Sequence, residues 1–197
     1  MSQETMLRKL ALLSLVLVAF ACKRGETPAS ATSGYSTPGD RGTSTAAAKK
    51  EAAPMGTEVG ATMPEYSATW LDGSKFELAS MRDKVVLLNV WATWCGPCRY
   101  EIPELEMIHK KYEARGFAVV GVSVDESGPQ AVKEFVDEQK VTYPIALDPE
   151  GKLATVFQTS VLPTSVLIDR QGKIVWKKYE AIMPNDRELI AAIEKSL

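Results

Sequence analysis

The chain has 197 residues, with 23 Lys and Arg against 25 Asp and Glu for a formal charge of −2. That length holds one domain plus an appendage, and apolar and charged fractions of 45% and 24% are those of an ordinary globular protein. The balance gives nucleic acid no basic face to bind, and three cysteines are too few for a disulfide-stapled scaffold.

Arg8 and Lys9 precede an apolar run from Leu10 to Phe20, broken only by Ser14. The run is shorter than the roughly 18–20 residues of a membrane-spanning helix, so residues 1–21 read as a signal segment. A buried core helix is the plain alternative, but the polar stretch that follows offers it no partner. Ala19-Phe20-Ala21 fits the small-x-small rule for signal cleavage. Cys22, directly after Ala21, also resembles a bacterial lipobox, in which the Cys becomes a lipid anchor; Ala19 stands where that motif usually has Leu. An unpaired Cys at the first mature position of an exported protein favours lipidation, while ordinary secretion and an uncleaved anchor stay open. Each route takes the domain out of the cytoplasm.

Residues 22–59 are rich in Ala, Gly, Ser, Thr and Pro and lack apolar periodicity. Such a stretch buries too little surface to offset chain entropy. It reads as a flexible low-complexity tether, and roughly 38 residues of coil span roughly 35 Å. The folded domain is expected over residues 60–197. It opens with a hairpin, Tyr66–Trp70 and Lys75–Leu78, around Leu71-Asp72-Gly73-Ser74. Ala79–Asp83 is a short connection. Val85–Ala92 is a nearly continuous apolar run, as in a strand buried on both faces.

A helix is expected from about Cys95 to Ala114. Ile102, Leu105, Ile108 and Tyr112 fall at helical spacing, Pro103 should kink it, and Gly116 ends it. Arg99 and Glu101 read as exposed helix residues, and His109, beside Lys110 and Lys111, as solvated surface. Phe117–Val124 is a second buried strand. The helix supplies the crossover that parallel pairing with the first requires. A loop, Asp125-Glu126-Ser127-Gly128-Pro129, leaves its C-terminal end, where open α/β sheets place their sites. An amphipathic helix over Gln130–Gln139, a short strand at Tyr143–Ala146 and a helical turn at Leu153–Phe157 follow. Val161-Leu162-Pro163-Thr164 leads into a strand, Ser165–Ile168, with a turn at Asp169–Gly172 and a hairpin partner at Lys173–Tyr179. Asn185 is expected to cap a closing helix that runs to Leu197.

The chemistry concentrates in Trp91-Ala92-Thr93-Trp94-Cys95-Gly96-Pro97-Cys98-Arg99. A buried strand delivers two cysteines to the start of a helix. Unpaired N–H groups and the positive dipole end stabilise a thiolate there. Cys95 is placed to attack a substrate disulfide. Cys98, one turn on and more enclosed, is placed to resolve the mixed disulfide. Pro97 fits the first turn because it needs no N–H there. Three plainer readings compete. A structural disulfide of so small a ring removes unfolded-state entropy worth only about 2 kcal/mol. Half of a zinc site lacks ligands, since the remaining candidates are Cys22 and His109. A chance C-x-x-C is weakened by the strand, tryptophans and helix around it. Trp94, adjacent to Cys95, reads as bordering the substrate surface, and Trp91 as packing deeper. The dithiol needs no cofactor and no metal.

Trp94-Cys95-Gly96-Pro97-Cys98 is the active-site sequence of thioredoxins, and the wider context from Lys84 resembles the membrane-anchored, extracytoplasmic thioredoxin-like reductases of the TlpA and ResA type. The likeness covers roughly Gly60 to the C-terminus. It implies an α/β thioredoxin-like fold: a central mixed sheet flanked by helices, with an N-terminal β-hairpin and a helix–strand insertion between Gln130 and Ala146. It implies a redox disulfide between Cys95 and Cys98, and a cis peptide at Pro163 facing it. The backbone of Leu162 would then bind an extended substrate segment. Plain thioredoxins have an Asp where this chain has Asn89; Glu126 matches a loop Glu that the ResA-like proteins place near the cysteines, which implies a proton acceptor for Cys98. The partners implied are protein disulfides and a membrane electron donor, with cytochrome c maturation the family's commonest setting. A disulfide oxidase or isomerase, a redox-inert partner-binding lipoprotein and a peroxidase of the same fold are the alternatives.

Overall fold

The computed structural model describes residues 55–197. The signal segment 1–21, the Cys22 anchor and the tether as far as residue 54 lie outside the described residues. Residues 55–59, assigned by sequence to the tether, are tied to the domain. Met55 bridges Thr62, Gly60 N–H donates to the Ile174 carbonyl at 2.7 Å, and Lys177 meets Glu58 at 2.8 Å.

The hairpin forms as the Asp-Gly turn dictates, between β1 (Ser67–Trp70) and β2 (Lys75–Glu77). Gly73 supplies a positive φ of 88°, and the Asp72 carboxylate accepts the Ser74 N–H at 2.9 Å. A 3-10 turn at Leu78–Met81 leads to β3 (Val85–Trp91), all seven residues of which are buried. Helix α1 (Gly96–Tyr112) carries the chain across to β4 (Phe117–Ser123), which pairs parallel with β3. Pro103 sits within α1, and Gly116 ends the turn after it with φ +84°. Then follow α2 (Pro129–Gln139), β5 (Ile145–Leu147), α3 (Lys152–Val156), β6 (Thr164–Ile168), β7 (Ile174–Lys178) and α4 (Arg187–Ser196).

The seven strands form one mixed sheet in the order β2-β1-β5-β4-β3-β6-β7. β3 lies between parallel β4 and antiparallel β6. Side chains alternate along β3. Val85, Leu87 and Trp91 join a core with Leu105 and Ile108 of α1, Val132 of α2 and Leu189 of α4. Val86, Leu88 and Val90 pack on the other face with Tyr66, Phe76, Leu153 and Phe157. Each such buried side chain contributes roughly 1.5–3 kcal/mol relative to exposure. Asn89 falls on the α1 side by the same alternation, which turns its polar side chain toward the helix.

Two expectations are corrected here. His109 is buried rather than solvated: Nδ1 accepts the Val119 N–H at 3.3 Å, and the ring stands edge-on to Tyr143. It lies four residues after Leu105, on the stripe that faces the sheet, and burial lowers its pKa. The cap of α4 is Asp186, not Asn185; its carboxylate accepts the Leu189 N–H at 3.0 Å. Asn185 takes a left-handed φ of 59°, and its N–H donates to Glu104.

Candidate active site

Beyond β3, Ala92, Thr93 and Trp94 turn the chain into α1. The Cys95 N–H closes that turn onto the Ala92 carbonyl at 3.1 Å. Cys95 is the N-cap, and the Cys98 N–H points at its sulfur, 3.3 Å from Sγ. Pro97 occupies the first turn without sacrificing a donor. Cys95 and Cys98 are joined as a disulfide, with their Cα atoms 5.3 Å apart. Cys95 is 5% exposed and Cys98 1%. Cys95 is therefore the slightly more open residue of the two. Trp94, Gly96 and Pro97 around it are exposed.

The Leu162–Pro163 peptide is cis. Val90 is opposite Thr164 in the β3–β6 register. One step further sets Pro163 opposite Trp91, at the end of β3 that leads to the cysteines. Leu162 is half-buried and packs against the cluster that holds both cysteines. Trp94 is 71% exposed, whereas Trp91 is buried and packs against Phe135 at 5.4 Å. Arg99 is exposed, with its guanidinium 5.3 Å from the Phe135 ring centre.

One carboxylate differs from the expectation. Glu101 is not an exposed helix residue; it is 1% exposed. One oxygen accepts Asn89 Nδ2 at 2.8 Å, and the other accepts the Ile182 N–H at 2.8 Å. Asn89 also donates to Ser165 Oγ at 2.9 Å, which fixes the amide. Glu101 sits three residues after Cys98 and shares its buried face of α1. Burial pushes its carboxyl up to about 7, against the pull of those two hydrogen bonds and of Lys178. Sequence reasoning missed this residue. The available signal was its position on the Cys98–Ile102–Leu105 stripe, with the polar Asn89 at a core position of β3.

Glu126 is exposed, on the loop after β4, and lines an open depression with Trp94. Its neighbour Asp125 is buried. The Asp125 carboxylate accepts the Thr93 N–H at 3.0 Å, the Thr93 hydroxyl at 2.5 Å and the Ser123 hydroxyl at 2.8 Å. This clamp ties the end of β4 to the turn that carries Cys95. A separate small pocket, lined by Met63, Leu78, Met81 and Val86 among others, opens at the far end of β3, on the order of 20 Å from the dithiol by strand length. Among the described residues no group of His, Cys, Asp or Glu is arranged to hold a metal ion.

A buried disulfide at a helix N-terminus, with one cysteine more open than the other, can exchange electrons with other disulfides through a mixed-disulfide intermediate. Comparison with known proteins agrees with that chemistry. The family model described as Redoxin matches residues 58–193. A thiol-disulfide oxidoreductase ResA of Bacillus cereus is 38% identical over 120 residues, spanning 61% of this chain and 69% of the relative. The crystal structure of a candidate thiol:disulfide interchange protein DsbE from Chlorobium tepidum superposes with a TM-score of 0.65 at 29% identity, covering 71% of this chain and 97% of that one. A DsbF homologue from Corynebacterium diphtheriae gives 0.62 at 30% identity, covering 68% and 86%. The chain belongs to the Redoxin family and is a thioredoxin-like thiol-disulfide oxidoreductase of the ResA type.

Proposed function

We propose that the protein reduces disulfides of other proteins outside the cytoplasm, with Cys95 as the attacking and Cys98 as the resolving sulfur. The observation that carries this reading is the disulfide itself: Cys95 caps α1 and receives the Cys98 N–H, while Cys98 lies deeper. In the reduced protein, the helix-end amides favour the Cys95 thiolate. That thiolate attacks one substrate sulfur, and the other leaves as a thiol once protonated. Cys98 then loses its proton and attacks Cys95 Sγ. The second substrate thiol departs, and the Cys95–Cys98 disulfide is restored. Two electrons have moved from the dithiol to the substrate. The exposed Trp94 borders the entry, and the backbone beside Leu162 and Pro163 holds an extended substrate segment.

Two carboxylates compete for the Cys98 proton. Glu126 is favoured by its likeness to a loop Glu of the ResA-like proteins. Glu101 is favoured by its burial one turn beyond Cys98 and by its carboxyl pushed up to about 7. A group near pH 7 both accepts and returns a proton efficiently at working pH. The pH profile of exchange separates them. Loss of the limb near pH 7 in Glu101→Gln alone assigns the role to Glu101, and loss in Glu126→Gln alone assigns it to Glu126.

The reducing direction is supported by the Gly-Pro dipeptide, shared with thioredoxin at about −270 mV against about −120 mV for the oxidant DsbA. A reductant in an oxidising compartment must be recharged, so we assign it a membrane electron donor, with the lipidated Cys22 and its tether holding it within reach. Cytochrome c maturation is the setting in which such a reductant has work. Among the described residues no helix is long and apolar enough to cross a membrane. Trapping with Cys98→Ser in cells tests the whole reading. Capture of exported cysteine-containing proteins through Cys95 is expected, together with a Cys95–Cys98 potential below about −200 mV measured on the wild-type protein. A potential near −120 mV assigns an oxidase instead, and no captured protein at all points to the redox-inert alternative.

A further inference from the structure

Beside the dithiol is an open depression of about 400 Å³, lined by Trp94, Val124, Asp125, Glu126 and Ser127. Its three exposed side chains are a large aromatic ring, Trp94, a carboxylate, Glu126, and the small hydroxyl of Ser127. Neither Trp94 nor Glu126 makes a side-chain hydrogen bond, ion pair or ring contact with any described residue. The floor carries a second carboxylate, Asp125, whose oxygens are taken up by Thr93 and Ser123. Those donors are neutral, so the charge below the depression is not cancelled. The cation next to Cys98 in sequence, Arg99, rests on Phe135 and forms no ion pair with Glu126.

An aromatic face and an unpaired carboxylate around one open space are complementary to a cation. The ring quadrupole attracts an ammonium or guanidinium over its face, and the carboxylate supplies the opposite charge. An apolar occupant would desolvate Glu126 without compensation, and an anionic one would be repelled by both carboxylates. We propose that this depression is a subsite for a Lys or Arg side chain standing next to the disulfide of the protein substrate. The inference rests on the reductase reading above and narrows its substrate class. Because Trp94 immediately precedes Cys95, the cationic residue lies within one or two positions of the attacked cysteine.

The test uses the full chain with its dithiol reduced, in single turnover with peptide dimers joined by one disulfide. The flanking residue is Arg, Ala or Glu. Two electrons pass from Cys95 and Cys98 to the peptide disulfide, giving two peptide thiols and the protein disulfide. The readout is the ratio of second-order rate constants for Arg over Glu peptides. Any part that Glu126 has in proton transfer affects both peptides and cancels in the ratio. We expect the wild-type protein to prefer Arg over Glu by about five- to tenfold, given one exposed cation–π contact and one exposed ion pair, and the preference to shrink as salt is raised. Glu126→Gln should bring the ratio to about twofold or less, and Glu126→Lys should invert it. Trp94→Leu should lower the advantage of Arg over Ala. A ratio unchanged in Glu126→Gln overturns the subsite, as does a wild-type protein that favours the Ala peptide. Failure to reduce even the Ala peptide overturns the reductase reading as well, so the two failures are told apart.

Discussion

Among the described carboxylates, Glu101 is the one whose chemistry departs furthest from its type. Its carboxyl is held by Asn89 and the Ile182 N–H, yet burial outweighs both and raises it to about 7. The folded protein therefore keeps a proton that the unfolded chain releases near pH 4.5. Stability from this group is highest below that pH and falls as pH rises toward 7, by on the order of 3 kcal/mol for a shift of this size. His109 acts in the opposite sense: its lowered pKa makes stability fall as pH drops below about 6.5. The difference between wild-type and Glu101→Gln protein in urea midpoints from pH 4.5 to 8 isolates the Glu101 slope. A difference that does not change with pH would show that Glu101 ionises normally. The Cys95–Cys98 pair was legible in the sequence because its short local spacing carries its chemistry, and the cis peptide at Pro163 was implied by the family resemblance. Glu101 was not, because its burial depends on Ile182, 81 residues away. A charged side chain near a helix start reads as solvated unless the covering loop is known. His109 hid in the same way, behind Lys110 and Lys111.

At the scale of elements, the sheet holds the turn that carries Cys95 by two devices. Gly121 of β4 leaves room for the indole of Trp91. A Cβ there would lie 2.7 Å from Ile145 Cδ1 and 2.9 Å from Trp91 Nε1. Gly121→Ala is therefore expected to destabilise the domain by about 1–3 kcal/mol, read as a lower urea midpoint. Asp125 is the second device. Asp125→Ala leaves the Thr93 N–H and two hydroxyls without their acceptor and should cost about 2–4 kcal/mol. It should also slow exchange, because Thr93 carries Trp94 and Cys95. Wild-type stability in Asp125→Ala would show that the clamp is dispensable. The strands of this scaffold were readable as apolar runs, and the hairpin as Asp-Gly between them. The cap of α4 was displaced by one residue because Asn185 and Asp186 are both good caps in isolation. Packing against α1 decides between them, since Glu104 claims the Asn185 N–H and frees Asp186 for Leu189.

For the molecule as a whole, the parallel pair β3 and β4 ends where the dithiol begins, and the cis-Pro163 loop and the Asp125 loop close around it. The opposite end of the sheet receives the chain at Met55 through Thr62 and Lys173. Met63 is buried there. A chain beginning at Tyr66 should accordingly be about 2 kcal/mol less stable than one beginning at Met55, and equal urea midpoints would remove that segment from the folded unit. The parallel crossover was legible from the order of apolar runs and the mixed sheet from the family resemblance, while the contribution of residues 55–59 was hidden because Met-Gly-Thr-Glu-Val has no apolar periodicity. The most direct measurement is the ionisation of the Cys95 thiol in reduced Cys98→Ser protein, followed by thiolate absorbance across pH. A pKa of about 7.5 or lower is predicted if helix-end amides stabilise the anion. A value of about 8.5, that of a free cysteine, would contradict the activation of Cys95 by the fold.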